Sequence, residues 1–275
     1  MITLLDGPVG TELEARGLRL PAPVWSARAV IERPDLLSAI HRDYAAAGAQ
    51  VHTAATFRTT ARALRGTEWA QRWEELVARA VTLCRAAVGP GRVAGSIAPL
   101  EDCFSPQLTP EDDVLLREHA ALAGALQRAG CDLLLVETMP TARELRAATR
   151  AAVATGLPVW SAVTLGPGGA FFSGPDLLAA RQTAADEGAE AFLVNCTPPE
   201  LITAALEGPL RAGPAPAGLR LGAYGNALFP GQPRLAPNRY AAEASRWRAA
   251  GADILGCCCG TGPEHVAAVA RAASG

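Results

Sequence analysis

The stretch 110–164, PEDDVLLREHAALAGALQRAGCDLLLVETMPTARELRAATRAAVATGLPVWSAVT, runs through one pattern twice. A helix-like segment opens at Pro110 with an acidic first turn, and Thr109 precedes it as a candidate N-cap. The segment stops at Gly130, which can take the left-handed conformation that ends helices. An apolar run, CDLLLVET (131–138), follows at once. A second helix-like segment (141–156) then leads into LPVWSAVT (157–164). Working outward, similar strand-like runs lie at 2–7, 49–54, 92–97, 189–196, 219–226 and 252–258, eight in all. They are continuously apolar rather than alternating, as expected of strands covered on both faces. Helix candidates separate them, and the pairs Ala129-Gly130, Glu187-Gly188 and Ala250-Gly251 join helix to strand directly.

Eight such repeats in 275 residues predict an α/β fold, a (β/α)8 TIM barrel, as one domain over 1–275. A doubly wound open sheet would call for a glycine-rich phosphate turn. GPVGTE after the first strand lacks that spacing, and GPGGAFFSG (166–174) reads as a long loop. The Pro/Gly stretches at 207–218 and 229–233 also read as loops within the domain.

Composition narrows the function. The chain is 49% hydrophobic and only 5% aromatic, so Ala, Leu and Val must fill the core. Its formal charge is −2, and with no lysine present arginine supplies all the formal positive charge. That balance offers no field for nucleic acid and no polybasic membrane patch. The N-terminus lacks a basic, then apolar leader, and no apolar run approaches a membrane span, so the expected location is cytoplasmic. Seven cysteines, an odd number, in a chain large enough to need no staples read as ligands, reactive thiols or core residues rather than disulfides.

In a barrel, residues at the C-terminal strand ends converge on one rim. Asp6 ends the first strand, Glu137 the fourth and Cys196 the sixth, while Cys257, Cys258 and Cys259 end the eighth. Two adjacent cysteines can both ligate a metal if the backbone turns sharply, and Gly260 permits the turn. With Cys196 as a third ligand, one position stays open, as in a catalytic zinc site. Thiolates suit zinc better than magnesium or calcium. A substrate thiol entering the open position would lose its proton and become a nucleophile. Asp6 and Glu137 could then hold an ammonium group on the same substrate, so a thiol amino acid matches both halves of the rim.

Several motifs resemble the homocysteine S-methyltransferase family. GCCCGTGPEHV (256–266) is similar to its Gly-Gly-Cys-Cys-Gly-Thr and Pro-Glu-His signature, and VNC (194–196) to its Asn-Cys motif. DGPVGTELEARG (6–17), LLLVETM (133–139), GSIAP (95–99) and YGNA (224–227) match further segments in the family's order. The resemblance implies a zinc-dependent barrel that methylates homocysteine, with zinc on Cys196, Cys258 and Cys259 and the substrate amino group near Asp6 and Glu137. The choice of Cys258 and Cys259 over Cys257 rests on that alignment. Cys257 stands where the family has a glycine, Ala55 where an asparagine is common, and Ala98 where another glycine is found. No folate or cobalamin module follows the motif, so a free methyl donor is expected: S-methylmethionine, S-adenosylmethionine or a betaine-like onium compound.

Other residues receive plainer readings. Cys84, Cys103 and Cys131 read as core or loop filler. Cys257 reads as a wall residue, because consecutive strand residues point to opposite sides. Asp6 could instead cap the helix after Gly10. Thr56 is a further candidate for lining the substrate site. His265 reads as a helix-start or packing residue. His41, His52 and His119 show no ligand spacing. Two other functions stay open: a non-catalytic barrel that binds zinc or a thiol amino acid, and a methyltransferase for another thiol or a selenol.

Overall fold

A computed structural model describes every residue except 1, 23, 173–175, 230, 232 and 275. The eight expected strands are present: β1 (Thr3–Leu4), β2 (Val51–Ala54), β3 (Arg92–Ile97), β4 (Leu133–Met139), β5 (Val159–Val163), β6 (Ala191–Asn195), β7 (Arg220–Gly225) and β8 (Ile254–Cys257). All pair in parallel in one sheet, in the order β1-β8-β7-β6-β5-β4-β3-β2. The two ends meet through a Leu5–Val51 bridge and the Asp6 N–H on the Val51 carbonyl, 3.0 Å. The sheet therefore curls into the (β/α)8 barrel.

The helices among the described residues are α1 (Val9–Ala15), α2 (Ala27–Glu32), α3 (Pro34–Ala46), α4 (Trp73–Val88), α5 (Asp112–Arg128), α6 (Ala142–Val153), α7 (Leu177–Asp186), α8 (Pro199–Glu207), α9 (Pro209–Ala212), α10 (Pro237–Ala249) and α11 (Pro263–Ser274), and several follow the Gly-stop pattern. In α5 (Asp112–Arg128), α7 (Leu177–Asp186) and α10 (Pro237–Ala249), the chain exits through Gly130, Gly188 and Gly251 at φ of +85°, +94° and +106°. α6 (Ala142–Val153) is capped by Thr141, whose hydroxyl accepts the Glu144 N–H. The Thr109 cap is not formed. Pro106–Leu108 makes a 3₁₀ turn, and α5 starts after Glu111 without any side-chain cap. The loop at 166–174 holds a short turn, Pro167–Gly169, and a Leu165–Phe171 bridge, and its residues 173 and 174 lie outside the described set. In 229–233, residues 230 and 232 do so as well.

Two apolar layers result. Leu4, Val93, Leu134, Val136, Phe192, Val194 and Leu255 pack outward against the helices. Leu5, Val51, Ala94, Leu133, Leu135, Trp160, Leu193, Tyr224 and Ile254 fill the barrel interior. Because side chains alternate along a strand, the interior set fixes which later residues face inward. Val51 is followed by Thr53, Ala94 by Ser96, Leu135 by Glu137, and Ile254 by Gly256 and then Cys258. Gly256 is required there, since a Cβ would lie 2.6 Å from that of Leu5. Cys257 has the opposite parity and belongs to the outward layer, the packing position expected of it. No helix among the described residues is long and apolar enough to cross a membrane.

Candidate metal and substrate site

At the C-terminal end of the barrel the inward residues line a cavity of about 570 Å³. The sulfurs of Cys196, Cys258 and Cys259 meet on its wall, all within 4.8 Å of one another, with Cys196 and Cys259 at 3.9 Å. Backbone hydrogen bonds set this trio. The Cys196 N–H donates to the Tyr224 carbonyl (3.1 Å) and the Cys258 N–H to the Gly225 carbonyl (2.9 Å), so β7 fixes both neighbours. Gly260, at φ +78°, then turns the chain where any side chain would collide with Leu228.

Three thiols this close cannot all ionise. Shared S–H hydrogen bonds push Cys196 up and hold Cys259 well below the usual thiol range, so the trio without a metal favours one thiolate, on Cys259. A bound cation would reverse that repulsion and let all three ionise.

The two expected carboxylates lie on the same cavity wall, both buried. Glu137 accepts the Ser96 hydroxyl at 2.5 Å on Oε1 and the Tyr224 hydroxyl at 3.1 Å on Oε2. Burial nevertheless pushes its carboxyl up to about 7. Asp6 does not cap α1 (Val9–Ala15). Its Oδ2 accepts the Thr53 N–H (2.9 Å) and its Oδ1 the Thr53 hydroxyl (3.1 Å). Burial, with a smaller contribution from Glu137, raises Asp6 as well. The pocket thus holds two carboxylates braced by neutral donors, and no cation among the described residues pairs with either. Thr56 is placed differently: it is fully buried off the cavity, its hydroxyl donating to the Ser96 carbonyl (3.0 Å) and accepting the Ser96 N–H (3.0 Å). It holds β2 to β3 beneath the site.

Backbone strain marks the same place. The non-glycine residues at positive φ among the described residues are Trp25 (+41°), Thr138 (+65°) and Cys196 (+49°), and all three line the cavity. Such conformations cost about 1–3 kcal/mol each and collect where function demands them. A register shift between Val136 and Met139 accompanies the Thr138 kink. Asn195 ties two of these points together: its Oδ1 accepts the Thr138 N–H (3.0 Å) and its Nδ2 donates to the Thr138 hydroxyl (3.1 Å). The residue before a metal-capable cysteine thereby orients the residue after a carboxylate.

His265, in α11 (Pro263–Ser274), serves the thiol turn. Its Nδ1 accepts the Gly262 N–H (3.2 Å), so Nε2 carries the proton donated to the Leu235 carbonyl (2.8 Å). Arg234 reaches from the same loop to the Gly260 carbonyl and pairs with Glu264 at 2.8 Å. If the three cysteines hold a metal, His265 braces the turn that carries two of them, and outer groups that orient ligands change metal affinity by about 10–100-fold. Replacing His265 with Ala is expected to speed chelator-driven metal loss about tenfold. Loss at the wild-type rate would show that the turn holds itself.

Thr53, Ser96, Tyr224, Asn195 and His265 were not singled out for these roles by sequence. Once the structure shows that Val51 and Ala94 face inward, parity accounts for Thr53 and Ser96, but the sequence alone does not say which face is inward.

The family model described as homocysteine S-methyltransferase matches residues 3–273. The homocysteine S-methyltransferase of Escherichia coli (strain K12) is 32% identical, over 98% of this chain and 94% of its own. Homocysteine S-methyltransferase 4 of Zea mays is 28% identical, over 98% and 88%. The crystal structure of the homocysteine methyltransferase MmuM from Escherichia coli in its metallated form superposes with a TM-score of 0.83 at 31% identity, covering 98% of this chain and 96% of that one.

Proposed function

The chain belongs to the homocysteine S-methyltransferase family, and from that premise we propose a zinc-dependent transfer of a methyl group from a small onium donor to the thiol of L-homocysteine, giving methionine. One observation carries the reading: three cysteine sulfurs from two distant segments converge on a cavity that also holds two cation-free carboxylates.

The sulfurs suit zinc. A tetrahedral shell with zinc–sulfur bonds near 2.3 Å needs sulfurs about 3.8 Å apart, against 3.9 Å for Cys196 and Cys259. Cys196, Cys258 and Cys259 would hold the ion, with no fourth cysteine in the group. Bound there, zinc would lower the pKa of an incoming thiol so that the acceptor is a thiolate at neutral pH.

The remaining work falls to the chain. Asp6 and Glu137 receive the acceptor's ammonium by charge-assisted hydrogen bonds, and Thr53, Ser96 and Tyr224 keep those oxygens in place. Leu5, Leu135 and Tyr224 form the wall that excludes water from the acceptor sulfur. The new carbon–sulfur bond forms as the donor's onium–methyl bond breaks, and the thiolate and onium charges cancel together. An onium methyl thus needs no separate acid catalyst. Ala55, where the family often has asparagine, lines the cavity and narrows what holds the donor to other residues.

A donor panel tests the proposal. Zinc-loaded protein with homocysteine and S-methylmethionine, S-adenosylmethionine or glycine betaine is expected to form methionine with at least one of them. Tight binding of zinc and homocysteine without methionine from any donor would make the chain a non-catalytic binder. Turnover of a selenol but not of homocysteine would reassign the acceptor.

A further inference from the structure

Glu137 on β4 and Cys196 after β6 belong to different halves of the site, and their strands are not neighbours, since β5 lies between them. Glu137 sits where β4 is irregular. From Val136 to Met139 the strand takes three steps while β5 takes two, from Ser161 to Val163. Such a bulge leaves an extra residue outside the ladder and bends the strand, which re-aims a side chain. Here the bulge spans Glu137 and Thr138, and Thr138 stands at φ +65°. Thr138 is buried, so with the ladder interrupted its N–H needs another acceptor. Asn195 supplies one: its Oδ1 accepts that N–H at 3.0 Å, while its Nδ2 donates to the Thr138 hydroxyl at 3.1 Å. The amide reaches past the end of β5 to do so and is itself fully buried.

The backbone of Asn195 belongs to the metal side. Cys196, the next residue, holds φ +49°. Its N–H donates to the Tyr224 carbonyl (3.1 Å), and its carbonyl accepts the Thr164 hydroxyl (3.2 Å). The Asn195 carbonyl accepts the Thr197 hydroxyl (2.8 Å). Non-glycine residues in the left-handed region persist only when their surroundings over-determine them. Thr138 and Cys196 are therefore each held in part by the other, through one side chain. A metal that fixes the Cys196 sulfur also fixes the backbone that carries Asn195, and with it the bulge that aims Glu137.

We propose that Asn195 is a positioning residue that couples the two half-sites: a metal on the three cysteines tightens ammonium binding at Glu137, and ammonium binding tightens the metal by the same factor. This rests on the methyl-transfer reading above, which gives the metal and the ammonium their places. The coupling runs through geometry. It needs no substrate sulfur, so an amino acid that lacks a thiol feels it too.

The test measures binding rather than turnover. Its probe is L-2-aminobutyrate, homocysteine without its sulfur, which has no thiol to place on the metal. Calorimetry on the full chain, zinc-loaded and zinc-free, compares wild type with Asn195→Ala and Thr138→Val, each checked for folding by thermal melting. Wild type is expected to bind the probe about tenfold tighter when loaded, and in Asn195→Ala that ratio should fall to about one. Thr138→Val keeps the shape and the N–H bond but loses the hydroxyl bond, so its ratio should lie between. It decides the point alone if Asn195→Ala does not fold. Chelator competition supplies the reciprocal measurement: the probe should raise zinc affinity by the same factor in wild type and leave it unchanged in Asn195→Ala. A direct attraction between the metal centre and the ammonium would act equally in all of these proteins. A wild-type ratio that persists undiminished in the folded variants would therefore overturn the coupling. So would a ratio of about one in wild type that binds zinc and methylates homocysteine, and methyl transfer would stand. Wild type that takes up no zinc would overturn both.

Discussion

Changing Cys258 to Ser is expected to remove bound metal and to lower methyl transfer by about 10³-fold or more. The same holds for Cys196 and Cys259. Two losses combine. A free thiol with a pKa near 8.5 is only about 3% thiolate at pH 7, which costs about 30-fold. An acceptor sulfur no longer anchored beside the donor methyl loses about another 10²-fold, the usual effect of misplacing a reacting atom by about 1 Å. Serine is nearly isosteric with cysteine, and the backbone bonds from Cys196 and Cys258 to β7 do not involve the sulfur, so the fold should persist. Cys257→Ala supplies the control. That side chain lies in the outward layer, and burial pushes its thiol up, so the variant should keep one metal per chain and most of its activity. Metal content by plasma emission, read beside methionine formation, checks both expectations. Full metal content in Cys258→Ser would sink the assignment.

The barrel was legible because its signal is repeated. Eight apolar runs recur along the chain, and where a helix stops at glycine just before one, Gly130, Gly188 and Gly251 adopt the left-handed conformation that the pattern requires. The placement of the rim was legible where chain order puts a reactive residue at a strand end, as with Asp6, Glu137 and Cys196, which all line the cavity. Depth and direction were not. Strands covered on both faces lose the polar alternation that would tell inside from outside. Ser96 within RVAGSI and Tyr224 within LRLGAYGN therefore looked like ordinary strand residues, though both grip Glu137. Thr56 misled for the same reason: three residues past Thr53, it lies beneath the floor that Thr53 lines. The Thr109 cap failed because residues 106–108 form a separate turn, which delays the start of α5 to Asp112.

Glu137→Gln tests the other half of the site, and it should act on substrate binding and on stability in opposite directions. Gln keeps the shape, and the Ser96 and Tyr224 hydroxyls can each donate or accept, so the hydrogen bonds survive. The charge that meets the acceptor's ammonium does not. Losing a charge-assisted contact of about 1.5–3 kcal/mol lowers kcat/KM for homocysteine by about 10–150-fold at pH 8. The pH profile identifies the cause. In the free protein the Glu137 carboxyl sits at about 7, so below that pH it turns neutral and kcat/KM should fall with an acid limb centred there. The Gln variant should lack that limb. Stability moves the other way. A folded pKa raised from 4.5 to about 7 means stability that is full below pH 4.5 and lost as pH rises through 7. The buried carboxylate, hydrogen-bonded but paired with no cation among the described residues, thus costs the ligand-free protein up to about 3 kcal/mol at pH 8. Glu137→Gln should raise its melting temperature by about 5 °C at pH 8 and leave it nearly unchanged at pH 5. Homocysteine, by bringing the missing cation, should stabilise wild type more than the variant. A variant that loses activity and melts lower at both pH values would show Glu137 to be structural, with the acceptor's ammonium held elsewhere.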